Sequence, residues 1–413
     1  MLTGFRLHAT AIISVIIFVA FLTSCDKDKS QQEETVHEII LTPAQREMMG
    51  KEVAFSRRLM QMMNEDAGLE SWSFSPLGVF LSLAMLNNFA SEDASKQIME
   101  VLGLESYSKD EINDLCKTIQ YELDHYAWRP ISSGQFLSLD ANMKWNESTI
   151  AAVAEDFNAY QSMGDINDAP SILSSANNWI EHQVSDIVSS PLPLTGLELG
   201  PGINLFDAFL VRERWWYGFP STRTSSNLFR KSDGSRHSVE FMQSDYLRLR
   251  YYHYEGRLYI FRDSIFGQMR IYQPGLMGYN SVSVSEYLES LQGFETVSFE
   301  SDWYYENQIS MPIMKEGVRI IDIKDYLYRM GITKIFEDGI VVADKPTKVS
   351  SFYQVFYLLA DETGIYTAPE GRPVHEFLFK EYLSYEVNAS FFYEEITRGT
   401  NSVVFAGRFE GDN

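Results

Sequence analysis

Phe55, Leu59, Met62 and Met63 recur at the spacing of one helix face and predict an amphipathic helix through this stretch. Its methionines suit a core stripe, since the flexible thioether fills irregular gaps. Ser75 precedes Pro76: a hydroxyl that can cap, then a residue whose missing N–H costs nothing at the first helical position. The apolar run from there through Leu86 predicts a helix buried nearly all round. A further helix runs from Ser91 to Gly103, which can take a left-handed cap. EINDLCKTIQYEL sets Cys116 on the apolar side of another helix, as a buried, inert thiol. From Asn177, NNWIEHQVSDIV reads as a helix stopped by Pro191-Leu192-Pro193. The period then changes. Residues 203–211, 239–251 and 257–273 alternate and are rich in β-branched and aromatic side chains, which is strand chemistry. A helix-like segment at 321–331 interrupts, and strands resume at 347–360 and 385–408. Helices first and strands later, without βαβ alternation, predict an α+β fold with mainly antiparallel sheets.

Composition narrows the function. The 413 residues are 45% hydrophobic and 14% aromatic, enough to bury a large core. The formal net charge of −23 argues against a nucleic-acid partner, because that affinity rests on lysine and arginine displacing counterions. No repeat period or low-complexity tract is present, and no stretch after the N-terminus is long and apolar enough to span a bilayer.

The N-terminus carries Arg6 and His8, an apolar run from Ala9 to Leu22, then Thr23, Ser24 and Cys25. This is the layout of an export signal, with an apolar stretch short for a stable span. Leu22-Thr23-Ser24-Cys25 resembles a bacterial lipobox, which implies cleavage before Cys25 and acylation of its thiol. Residues 1–24 are then signal peptide, 25–39 a lipidated cysteine and charged tether, and 40–413 the folded domain. The expected location is the bacterial cell envelope, membrane-anchored and exported; the DKDK after Cys25 resembles surface-export tags of some bacteria. Cys116 is the other cysteine, so no intramolecular disulfide forms once Cys25 carries lipid.

Catalytic motifs are missing. The histidines at 8, 37, 125, 182, 237, 253 and 375 never pair at metal-ligand spacing, and His37-Glu38 lacks the second histidine of a zinc-protease helix. There is no GxSxG elbow, phosphate loop or glycine-rich dinucleotide fingerprint. Glu394-Glu395 reads as solvated surface in so acidic a chain. The expectation is a protein that is not an enzyme and takes no cofactor or metal.

FSPLGVFLSLAMLNNFASEDASKQIMEVLGL at 74–104 resembles the serpin family, and so do five further blocks in the family's order. They are ANNWIEHQVSDIV from Ala176, FDAFLVRERW at 206–215, MPIMKEGVRIIDIKDYLYRMGITKIF at 311–336, KVSSFYQVFYLLADETG at 348–364 and SFFYEEITRGTNSVVFAGRF at 390–409. The likeness covers roughly residues 40–410. It implies helices packed on three mainly antiparallel sheets, with an exposed reactive-centre loop at about 364–384. It also implies a mechanism: a serine or cysteine protease attacks the loop, and the loop then inserts into the central sheet and traps the acyl-enzyme. The expected product is a monomeric suicide inhibitor.

The resemblance also assigns residues. Glu362 and Gly364 match the hinge's acidic residue and glycine, and Ile365 and Pro369 follow within the hinge. The scissile bond follows Leu378, or Phe379 with the register shifted by one, which implies a chymotrypsin- or elastase-like target. Trp215 matches the tryptophan where insertion begins. Gly78, Asp207 and Gln354 stand where the family commonly places a serine, an asparagine and a histidine beneath the opening strands; they leave an acceptor and an amide donor able to bond one another. The family's run of small hinge residues is replaced by Ile365-Tyr366-Thr367-Ala368-Pro369-Glu370-Gly371-Arg372-Pro373. Proline offers no N–H to a central strand, so Pro369 and Pro373 are expected to slow insertion. The alternative is a non-inhibitory serpin fold serving as a binding or structural module.

Overall fold

The computed structural model describes residues 39–125, 131–184, 194–212, 215–247, 250–254, 257–263, 267–273, 307–315, 317–366, 383–397, 400 and 402–411. In chain order the elements are α1 (Pro43–Ala67), β1 (Trp72–Phe74), α2 (Pro76–Asn87), α3 (Glu92–Leu102), α4 (Lys109–His125), β2 (Ile131–Asp140), α5 (Glu147–Asp156), β3 (Tyr160–Gly164) and α6 (Ala169–Val184). Then come β4 (Ile203–Arg212), β5 (Trp215–Tyr217), β6 (Ser225–Arg230), β7 (Arg236–Leu247), β8 (Arg250–Tyr254), β9 (Arg257–Asp263) and β10 (Gly267–Gln273). The last are β11 (Asn307–Pro312), β12 (Met314–Lys315), β13 (Arg319–Asp322), α7 (Lys324–Met330), β14 (Val349–Ala360), β15 (Gly364–Tyr366), β16 (Leu383–Glu386), β17 (Phe391–Thr397) and β18 (Val403–Phe409).

Three sheets carry the fold. One is antiparallel throughout, in the order β1-β18-β17-β10-β9-β8. A second runs β16-β11-β7-β6, with β16 parallel to β11. The third runs β14-β4-β2-β3, with β12 and β13 both on the outer side of β14. In it β14 lies parallel to β4 and β2 parallel to β3, whereas β2 and β4 are antiparallel. The second and third sheets are therefore mixed, although antiparallel pairs predominate overall.

Local chemistry sets the helix ends. Ser75 Oγ accepts the Gly78 N–H at 3.0 Å and caps α2, which begins on Pro76. Ser91 caps α3 in the same way, and Gly103 closes it at φ 71°, in the region glycine enters without a Cβ penalty. Every residue of α2 is buried, because it packs on β18 of the antiparallel sheet and on β2 and β4 of the third sheet. β4 is covered on both faces, which explains its nearly unbroken apolar run. Leu205, Phe209 and Val211 join the main core, whereas Phe206, Ala208 and Leu210 join a second cluster with Trp179 and Ile180 of α6.

Four sequence expectations change. In α1 the core stripe is Phe55, Leu59, Met60 and Met63, with Met62 only half-buried, because the helix touches neighbours over a wider arc than one stripe. Residues 319–322 form β13 on the edge of the third sheet, so the helix predicted from 321 begins at Lys324. The stretch at 239–251 divides between β7 and β8, and that at 257–273 is the antiparallel pair β9 and β10. Glu394 and Glu395 are buried rather than solvated: β17 lies inside its sheet between β10 and β18, and Arg57 of α1 forms an ion pair with Glu394. Cys116 is a free buried thiol, and burial pushes its acidity well below that of an ordinary cysteine.

Candidate functional site

The seam between β4 and β14 is the centre of the third sheet. The two strands bond directly from Ile203 and Val349 to Arg212 and Leu359, with one irregularity near Val349. No other strand lies between them. At its middle Gln135, Asp207 and Gln354 stand side by side on β2, β4 and β14, all buried and all turned toward α2. Gln354 Nε2 donates to Asp207 Oδ2 at 2.7 Å and to Ser75 O at 2.8 Å, while Gln354 Oε1 accepts the Ser75 N–H at 2.8 Å. Gln135 Nε2 donates to Asp207 Oδ1 at 3.4 Å, and Gln135 Oε1 finds no donor among the described residues.

Gly78 makes this packing possible. A Cβ at this position would come within 2.6 Å of Asp207 Oδ2 and 3.1 Å of both Gln354 Nε2 and Phe209 Cδ2. The carboxyl thus occupies space that any other residue on α2 would claim. Burial pushes the Asp207 carboxyl up to about 7, against the pull of its amide donors Gln354 and Gln135.

The residues expected to form the hinge sit at the end of the same seam. β15 continues β14 after a turn at Asp361–Thr363 and lies parallel to β5, pairing Gly364 with Trp215 and Tyr366 with Tyr217. Trp215 is fully buried; its Nε1 donates to Asp361 O at 2.6 Å and its backbone N–H to Thr363 O at 3.2 Å. Phe219 packs edge-on against it, and the Phe219 N–H bonds Glu362 O at 2.9 Å. Thr224 Oγ1 donates to the Glu362 carboxylate. A Cβ on Gly218 would lie 2.6 Å from Glu362 O and 2.8 Å from Gly364 N, so the turn depends on bare backbone there. Ile365 belongs to β15.

Gly78, Asp207 and Gln354 therefore meet at one point, and Glu362, Gly364, Ile365 and Trp215 meet at a second. Pro369, Leu378 and Phe379 lie outside the described residues, as does Cys25. Sequence reasoning missed Gln135, Ser75 as a seam ligand, Gly218 and Thr224. Each joins through tertiary register, and only Gly218, a lone glycine among aromatics, gave any local signal.

A profile of the family described as Serpin (serine protease inhibitor) matches residues 51–411. Human neuroserpin is 21% identical over 367 residues, covering 82% of this chain and 85% of that protein. Human serpin I2 is 22% identical over 349 residues, covering 81% and 84%. Among solved structures, native protease nexin-1 with heparin superposes with a TM-score of 0.73 at 16% identity, and maspin with 0.74 at 18%. These alignments cover 89% and 90% of this chain and the whole of each solved chain. The chain belongs to the serpin family, and its fold is the α+β serpin fold.

Proposed function

We propose that this protein is a suicide inhibitor of serine proteases, trapping the acyl-enzyme by inserting its cleaved reactive loop between β4 and β14. The observation that carries the reading is the direct pairing of β4 with β14, joined to a hinge that leaves the seam alongside β5. This is an uninserted state, with the place for one more strand still closed. Once the loop is cut, Gly364–Tyr366 can peel from β5, reverse at the Asp361–Thr363 turn and enter the seam from this end. A strand placed there would bond on both sides, and its burial would drive the transition.

An apolar residue before the scissile bond, Leu378 or Phe379, favours chymotrypsin- or elastase-like proteases. Incubation with chymotrypsin or elastase tests the reading: a covalent complex surviving SDS is the expected result, and clean cleavage near Leu378 without complex refutes it. That second outcome is the signature of the non-inhibitory module, which Pro369 and Pro373 favour because each removes a ladder N–H from an inserted strand. The Leu22–Cys25 motif supports export to the cell envelope and lipid anchoring through Cys25. A Cys25→Ser protein that still partitions into membranes would refute the anchor.

A further inference from the structure

Asp207 is a buried carboxyl on the strand seam with no cation beside it among the described residues. Gln354 is locked in orientation by Ser75, to whose carbonyl it donates and whose N–H it accepts, so it always presents an N–H to Asp207 Oδ2. Gln135 is not locked: its Nε2 reaches Asp207 Oδ1 only at 3.4 Å and its Oε1 has no donor among the described residues. A proton on Oδ1 resolves the mismatch. With the Gln135 amide turned over, Oε1 accepts that proton while Oδ2 still accepts from Gln354. The ionised carboxyl, by contrast, has one good donor, one long one and a bare α2 backbone closing its third side.

We propose that Asp207 is a proton-operated latch on the β4–β14 seam, closed while its carboxyl is neutral and eased when the carboxyl ionises. The proposal deepens the inhibitor reading, and rests on it for its purpose, by placing strand parting under pH control. The direction follows from linkage. Parting the strands removes Gln354 from Asp207 and admits water, so the opened state returns the carboxyl toward ordinary acidity and releases a proton. Opening is then disfavoured as pH falls below the value at which the closed-state carboxyl titrates, which burial has raised toward neutrality.

Among the described residues of α2, β2, β4 and β14 no second ionisable side chain faces Asp207; Glu52 of α1, the other buried carboxyl raised toward neutrality, is engaged by Ser56, Ser402 and the Val403 backbone instead. α2 has no ionisable side chain, and its Gly78 N–H is taken by Ser75 Oγ. The other charged residues of β2 and β4, Asp140 and Arg212, fall on the opposite face by strand alternation. Tyr353 and Tyr357 of β14 also lie in the opposite cluster, with Phe206 and Trp179. Arg408 of β18 is bound to Asn64 and to the Gly68 and Glu70 carbonyls.

Hydrogen exchange on the intact protein between pH 5 and 8 tests the latch without any protease. Amides of β4 and β14 are read relative to those of α3, which shares no hydrogen bond with Asp207 or Glu52 among the described residues, and this cancels the chemical pH dependence of exchange. The seam-to-reference ratio is expected to rise by up to about tenfold per pH unit below pH 7 and then to level off. Asp207→Asn, which can donate to Gln135 Oε1 at every pH, is expected to stay at the low-pH ratio. Glu52→Gln is expected to keep the wild-type slope. A flat or falling wild-type ratio overturns the latch, and so does a slope that persists in D207N; if D207N does not fold, the wild-type ratio decides alone. A failure to form SDS-stable complexes would sink the inhibitor reading and leave this measurement intact.

Discussion

Replacing Gly78 with alanine gives a sharp test of the seam. The new Cβ would stand 2.6 Å from Asp207 Oδ2, about 1 Å inside ordinary van der Waals contact. The carboxyl cannot simply retract, because the same oxygen holds Gln354 Nε2 at 2.7 Å. Either that hydrogen bond breaks, at about 1–3 kcal/mol for buried groups left unpaired, or α2 shifts, at a similar overpacking cost. Alanine returns roughly 0.5–1 kcal/mol through its better helix propensity. The net expectation for G78A is a loss of about 1–3 kcal/mol, seen as a fall of several degrees in the native-state melting midpoint at fixed scan rate. In a D207A background the clash is gone, and the remaining 3.1 Å neighbours, Gln354 Nε2 and Phe209 Cδ2, are side-chain atoms able to give. There Gly78→Ala should be neutral or slightly stabilising, a strongly non-additive pair. An unchanged midpoint for G78A alone, or simple addition in the double variant, would show that the carboxyl is not held against the glycine.

Glu52, on the buried face of α1, titrates near neutrality: burial raises its carboxyl from 4.5 to about 7, opposed by hydrogen bonds that include Ser56. The folded state therefore holds this proton more tightly than the unfolded chain. Its stabilisation, about 3 kcal/mol, is complete below pH 4.5 and lost as pH rises through 7, and denaturant midpoints for E52Q should lack that slope. Trp215→Phe removes the donor to Asp361 O and should cost about 1–3 kcal/mol, with faster amide exchange at 363–366; an unchanged exchange rate there would show the indole does not pin the hinge. Gly218→Ala drives a Cβ into the Glu362 and Gly364 backbone and should free β15 from β5, lowering the melting midpoint more than G78A because backbone atoms cannot step aside.

Much of the architecture was legible because it rests on local rules. Ser75-Pro76 and Ser91…Gly103 announced two helices whose caps are made by the expected side chains and whose ends fall within a residue of the reading. The strands at 203–211 and 347–360 were equally plain, since burial on both faces leaves a run of apolar residues no helix period explains. Strand breaks were not legible: the stretch 239–251 divides between two sheets, β7 in one and β8 in another, while the alternation runs straight through. Glu394 and Glu395 were misread for a related reason. Their burial depends on Arg57, far away in sequence, and on β17 having neighbours on both sides. The resemblance brought Gly78, Asp207 and Gln354 together, but Gln135 is visible only once β2 is registered on β4.

The parallel seam also constrains how the chain reaches its native state. Asp207 and Gln354 are 147 residues apart, so β4 is synthesised long before the partner that covers its edge. Until β14 emerges, one side of β4 presents unpaired N–H and C=O groups that can satisfy themselves on any passing strand, including β4 or β14 of another molecule. The contact that the proposed loop insertion would undo is thus also among the last to be made, and conditions that delay arrival of the C-terminal strands should favour aggregates joined through this edge.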